Sequence, residues 1–228
     1  MKMKFGALVI DGRGKIGGHV ASKNKGGAYL RTKVSPVNPQ SSYQLSVRNR
    51  FTGLAQGWRG LTQAQRDAWN AAVSDYQTTD IFGDLRTPSG LNLYQRLNNN
   101  LLTIGESAVT TPPLPSTVQA VVLSAIAVAE GAGTFTGTYA PAIDADTLVK
   151  VFATAPQSAG KSFVKSEYRL IEVIATADAS PYDLSTSYEA KFGSVGVEGQ
   201  KIFVKFVPVN LNTGQEGSAS QASAVVAA

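Results

Sequence analysis

VTTPPLPS, residues 109–116, separates two stretches of chain with different apolar periods. Pro112, Pro113 and Pro115 remove backbone donors and hold φ near the extended value, so neither a helix nor a central strand runs through them. The stretch reads as a linker, with a helical unit before it (42–108) and an all-β unit after it (117–228).

Towards the N-terminus the period is helical. Val47, Phe51, Leu54, Ala55 and Trp58 recur at steps of four, three, one and three, which puts them on one helix face. Thr62-Gln63-Ala64-Gln65 has the capping-box pattern that opens a helix. That helix carries Trp69, Val73 and Tyr76 and runs to about Asp75 or Tyr76. Leu91, Tyr94, Leu97, Leu101 and Ile104 mark a third, with Gly105 as its C-cap. Thr78 to Gly90, with Gly83 and Pro88, reads as a loop. Both tryptophans continue helical stripes and are assigned to the core of a small helical unit, whose size makes it marginal alone.

Residues 1–41 hold Gly6, Gly12, Gly14, Gly17, Gly18, Gly26 and Gly27, too many for a helix. They are expected to form an extended basic arm, with short strands at Phe5–Ile10 and Ala28–Val34, that orders on a partner. Beyond the linker, seven strands are expected: Val118–Val128, Thr134–Tyr139, Thr147–Thr154, Ser162–Thr176, Ser185–Phe192, Lys201–Val209 and Ser218–Val226. In Lys201-Ile202-Phe203-Val204-Lys205-Phe206 the alternation places Ile202, Val204 and Phe206 on one face and the lysines on the other. The stretch from Lys201 to Ser220 resembles the last strand pair of a fibronectin type III or related immunoglobulin-like domain, although no tryptophan follows residue 69. The expected class is α+β: an extended N-terminal arm, a small three-helix unit and a C-terminal all-β immunoglobulin-like sandwich.

Charge is unevenly spread over the 228 residues. Residues 1–69 carry twelve basic side chains against Asp11 and Asp67, a net of +10. Residues 70–110 have a net of −2. Residues 111–228, with seven basic and ten acidic groups, have a net of −3. Such polarity suits a polyanion or an acidic protein surface as partner, with a solvated basic face as the alternative. The absence of cysteine removes disulfides, thiolate metal sites and thiol nucleophiles. The six apolar or small residues before Asp11 fall short of the roughly 7–15 of a secretory signal. No stretch reaches the roughly 18 of a membrane span. A soluble protein without membrane contact is expected.

Gly12-Arg13-Gly14-Lys15-Ile16-Gly17 has the spacing G-x-G-x-x-G. A dinucleotide loop needs a helix directly after the glycines and an acidic residue about 20 positions on. Residues 19–27 have no apolar helical face, and no acidic residue lies between Gly12 and Asp67. No phosphate-loop motif occurs either. His19, the only histidine, would have to serve any serine triad, and it sits in a Gly-rich stretch with nothing to orient it. Asp144, Asp146, Asp178 and Asp183 fall near turns, where aspartate is common for backbone reasons; a calcium ion shared by Asp144 and Asp146 is the alternative reading. No enzyme, no cofactor and no metal site are read.

Ser22 to Arg31, Pro36-Val37-Asn38-Pro39-Gln40, Arg48/Phe51/Leu54/Trp58, Leu61-Thr62-x-x-Gln65-Arg66-x-x-Trp69 and Ser89 to Tyr94 with Leu97-Asn98 resemble a set of uncharacterised tailed-phage and prophage proteins. The resemblance covers about residues 20–105 and carries no active site. It implies a virion structural protein present in many copies, assembled in the host cytoplasm, with other virion proteins as partners. A capsid-associated decorating protein is the first expectation. A head-to-tail connector or tail component, a nucleic-acid-binding protein using residues 1–69, and a glycan-binding adhesin are the alternatives. The partner-binding residues expected in the arm are Lys15, Lys23, Lys25, Tyr29, Leu30, Arg31 and Lys33; those in the helical unit are Arg48, Arg50, Arg59 and Arg66. Contact of this basic end with packaged DNA, without sequence specificity, stays open.

Overall fold

A computed structural model describes Lys2, Met3, Gly6 and residues 12–24, 27–130 and 133–228. It is a mixed α+β protein with antiparallel sheets.

The N-terminal segment is a small sheet and not an extended arm. Strands β1 (Lys2–Met3), β2 (Gly14–Ile16), β3 (His19–Asn24) and β4 (Gly27–Thr32) pair antiparallel in the order β1-β4-β3-β2. Glycines that exclude a helix here supply hairpin turns instead. Ile16 pairs with His19, so Gly17 and Gly18 form a two-residue turn, and Gly17 takes the positive φ (56°) that such a turn favours. The Lys33 N–H donates to the Gly18 carbonyl at 2.7 Å and closes the second strand pair. The strand expected at Phe5–Ile10 lies outside the described residues.

Three helices follow. Helix α1 (Ser42–Gly60) starts on the Ser41 hydroxyl, which accepts from the Gln44 N–H. Helix α2 (Gln63–Ala72) has both hydrogen bonds of the expected capping box, Gln65 N–H to Thr62 Oγ1 (3.2 Å) and Thr62 N–H to Gln65 Oε1 (2.9 Å). It continues as one 3₁₀ turn, Val73–Tyr76. Thr78–Thr79 (β5) and Leu85–Arg86 (β6) make a short hairpin in the region read as loop. Helix α3 (Gly90–Ile104) ends on Gly105 at φ 92°, as expected. Trp69, Leu93, Leu97, Tyr94, Leu54, Leu61 and Tyr76 form one buried cluster, with Trp69 edge-on to Tyr94 at 5.3 Å. The N-terminal half of the predicted α1 stripe lies outside this cluster. Val47 is 39% exposed and Phe51 53%, although Arg50 beside Phe51 reaches Thr103 of α3.

The linker is strapped to the helices. Trp69 Nε1 donates to the Thr110 carbonyl and the Tyr76 hydroxyl to that of Pro113, both at 2.8 Å. The buried Asn98 carboxamide clasps both backbone groups of Val109.

After it come β7 (Val122–Ala129), β8 (Thr134–Ala140), β9 (Thr147–Ala153), β10 (Arg169–Ile174), β11 (Tyr182–Asp183), helix α4 (Ser185–Phe192), β12 (Lys201–Asn210) and β13 (Ser220–Val225). Two sheets, β11-β8-β7 and β10-β9-β12-β13, share one core that includes Phe135, Tyr188, Phe206, Ile174, Ile202 and Val149. Ser185–Phe192, expected as a strand, is helical. Asp183 accepts from both the N–H and the hydroxyl of Ser185, while Tyr188 and Phe192 at i, i+4 stack on the core with ring centroids 4.8 Å apart. The strand expected over Ser162–Thr176 shortens to Arg169–Ile174, and residues before it fold over the sheet's outer face.

β12 is buried on both faces for much of its length. Ile202, Val204 and Phe206 enter the shared core as expected, but Phe203, Val207 and Val209 on the lysine-bearing face are covered too. Part of that cover is α3. Gly214, in the β12–β13 turn, sits so close to α3 that a Cβ would lie 2.3 Å from the Leu97 carbonyl oxygen. Asn100 Nδ2 donates to the Gly214 carbonyl at 2.9 Å, and the buried Lys150 donates to Asn100 Oδ1 and to Glu216.

Candidate interaction surfaces

In an antiparallel ladder, directly paired residues point to one face. Lys15, Val20 and Arg31 are paired across β2, β3 and β4, and Lys2, Tyr29 and Ser22 across β1, β4 and β3. One face of the N-terminal sheet therefore carries Lys2, Lys15, Arg31 and Tyr29 together. The opposite face carries Ile16, His19, Ala21, Leu30 and Lys23. Of the sequence-assigned arm residues, Lys15, Tyr29 and Arg31 converge, Lys23 and Leu30 face away, and Lys33 follows the last strand. Lys25 lies outside the described residues. Ala21 is the only described residue of this sheet that is buried.

The four arginines do not form one surface. Arg48 and Arg59 are eleven residues apart on α1, about three turns, and share a helix face roughly 16 Å apart. Arg50 turns inward, and its guanidinium donates to Thr103 Oγ1 on α3 at 2.6 Å. Arg66 donates to Gln63 within its own helix.

Three further surfaces escaped the sequence reading. The first is the uncovered strip on α1, Tyr43, Val47 and Phe51 at i, i+4, i+8, with Lys191 lying 4.5 Å from the Tyr43 ring. Its helical period is visible, but period alone does not say how far a neighbouring helix reaches. The second is the β5–β6 hairpin, whose tip exposes Ile81, Phe82 and Leu85. Asp80 organises that tip by accepting from the Phe82 and Asp84 N–H groups, and it bonds Lys2 of the N-terminal sheet at 2.8 Å. The Lys2 hydrogen bond, and then the Phe82 N–H, hold the Asp80 carboxyl below the usual carboxylate range. The third is a groove on the outer face of the four-stranded sheet. Its signal was Phe203 between the two lysines of β12.

Two of the turn aspartates act on backbone: Asp178 accepts from the Ala175 N–H and Asp183 from the Ser185 N–H, whereas Asp146 accepts from the Asn212 side-chain amide. Among the described residues no three His, Asp or Glu side chains come close enough to hold a metal ion, and no helix is long and apolar enough to cross a membrane. Tyr182 donates to Glu172 Oε1 at 2.8 Å, and burial, followed by that carboxylate, pushes its phenol pKa up.

Compared with known proteins, the chain matches no protein-family model, no curated protein and no solved structure.

Proposed function

We propose that this chain is a structural protein of a tailed-phage virion, present in many copies and held to a capsid surface by its N-terminal sheet. The observation that carries the reading is how little the described strands of that sheet bury. Several strands need a hydrophobic face or a packing partner to be stable on their own, and the described strands here bury only Ala21. A neighbouring subunit supplies the missing cover. Residues 12–66 hold ten basic side chains and no acidic one, which suits an acidic capsid or connector surface. The uncovered α1 strip and the apolar hairpin tip add contact area of the same kind.

The C-terminal unit is read as an immunoglobulin-like outer module. Naming its strands A, B, C, C′, E, F and G in chain order puts A, B and E on one sheet and C, F and G on the other, the arrangement of that fold.

Deleting residues 1–34 removes the sheet and should abolish incorporation into virions while residues 42–228 stay folded. Copies per purified particle, with circular dichroism of the truncated protein, measure both. Incorporation at the normal level sinks the anchor.

A second reading, non-specific DNA contact, is favoured by Lys15, Arg31 and Tyr29 sharing one face. It requires duplex binding by the whole chain that weakens steeply with salt, roughly one counterion released per phosphate contacted. Tight binding at physiological salt would favour it over the capsid anchor.

A further inference from the structure

The groove on the outer face of the four-stranded sheet has a volume of about 480 Å³, within the range of small-molecule sites. Its floor is set by register. Phe203 pairs with Ser223 and Lys205 with Gln221, so these side chains share the outer face of β12 and β13. The wall comes from residues 162–168, where Phe163 is 74% exposed beside Lys165 and Tyr168.

The Lys205 ammonium lies 4.9 Å from the ring centroids of both Phe152 and Tyr168. Two cation–π contacts thus hold it at the groove without neutralising it. No Asp or Glu lines the groove, and neither Lys205 nor Lys165 has a carboxylate partner among the described residues. Nearby Lys161 does, bonding Glu167. Gln221 Oε1 accepts from the Tyr168 hydroxyl at 3.3 Å, which leaves the amide NH₂ to donate elsewhere.

We propose that this groove binds an acidic saccharide unit, a sugar ring bearing one carboxylate. Ring faces of Phe163 and Tyr168 offer apolar platforms for the ring, Gln221 and Ser223 offer hydrogen bonds to hydroxyls, and the lysines meet the carboxylate.

Two other anionic ligands fit less well. An acidic peptide adding a strand needs an open sheet edge, but the chain just past β13 is already tied to the end of β7: the Ala227 N–H donates to the Val128 carbonyl, and the Glu130 N–H to that of Ala227. A nucleic acid would extend beyond the groove over a unit whose residues 111–228 have a net charge of −3. A single carboxylate meets only the two lysines.

The test is calorimetric titration of the whole chain with trigalacturonate, its methyl ester, hexaglutamate and a short single-stranded oligonucleotide. The expected result is saturable trigalacturonate binding with Kd below about 1 mM, at least about tenfold weaker for the methyl ester and for Lys205→Met and Phe163→Ala. Should Lys205→Met fail to fold, Lys165→Met on the exposed wall carries the same expectation. Absence of trigalacturonate binding at about 10 mM overturns the proposal, as does equal affinity for the ester or for the folded variants. Tighter binding of the peptide or the oligonucleotide overturns it too.

Discussion

The ammonium of Lys150, on β9, donates to the carboxamide of Asn100, on α3, at 3.2 Å, and both residues are buried. The same carboxamide donates to the Gly214 carbonyl, and Lys150 also bonds Glu216. Three separate parts of the chain thus meet at one polar knot, which holds the helices to the β unit. Asn100→Ala leaves the Gly214 carbonyl without its bond and removes one partner of a buried ammonium. The expected loss is about 2–3 kcal/mol in urea unfolding, with Asn100→Leu no better, since either change strands the same groups.

Gly214→Ala tests the contact beside that knot. A Cβ there meets the Leu97 carbonyl at 2.3 Å on a backbone with φ 70°, so strain and clash act together. A loss of at least about 2 kcal/mol is expected, with the α3 contact opening before the β core melts. Amide exchange near Leu97 and Leu101 would report that opening, and unchanged protection there contradicts it.

Along α1, the same apolar stripe should respond in opposite ways. Leu54→Ala, in the buried cluster, is expected to cost about 2–5 kcal/mol. Phe51→Ser, on the uncovered part, should shift stability by no more than about 0.5 kcal/mol. A large loss from Phe51→Ser would mean that the strip is covered within the chain.

Alkaline pH should unfold the protein. Burial raises the phenol pKa of Tyr76, Tyr94, Tyr139, Tyr168, Tyr182 and Tyr188. Their unfolded forms ionise near pH 10, before the folded forms, so stability present below pH ~10 falls as pH rises above it. Tyrosinate absorbance and loss of folded signal should rise together. Titration of all eight tyrosines within the folded state counts against this.

The tie between the N-terminal sheet and the β5–β6 hairpin has the opposite pH dependence. The Asp80 carboxyl is held low by Lys2 and backbone N–H groups, so its contribution is present above the unfolded value near pH 4. It is lost as pH falls through the lower folded value. The Asp80 carboxyl carbon shift should titrate below the ordinary aspartate range, and Lys2→Met should move it back up. No difference between the two proteins argues against the bond.

Much of the local structure was legible in the residues. Thr62 and Gln65 announce a helix start because their side chains satisfy orphan N–H groups within four residues of chain. Gly105 announces a helix end for the same local reason. The strands β8, β9 and β12 follow from alternation, and Trp69 from its place on a stripe. Where the reading failed, the deciding contact was distant. Ser185–Phe192 has the composition of a strand and the i, i+4 spacing of a helix, and only Asp183 and the core under Tyr188 settle it. The glycines of residues 12–27 exclude a helix, but whether they straighten or turn the chain depends on pairing partners up to a dozen or more residues away.

The candidate surfaces divide in the same way. Charge follows from residue order alone: ten basic and no acidic side chains in residues 12–66, carried by whatever fold forms. Strand register then decided that Lys15, Tyr29 and Arg31 share a face while Lys23 and Leu30 do not. Helix packing decided that Phe51 is half-exposed and Leu54 covered, and the crossing of residues 162–168 over β12 made the groove around Lys205. Charge and period are properties of neighbours along the chain. Faces, covers and grooves arise only when segments far apart in sequence compete to bury the same apolar surface.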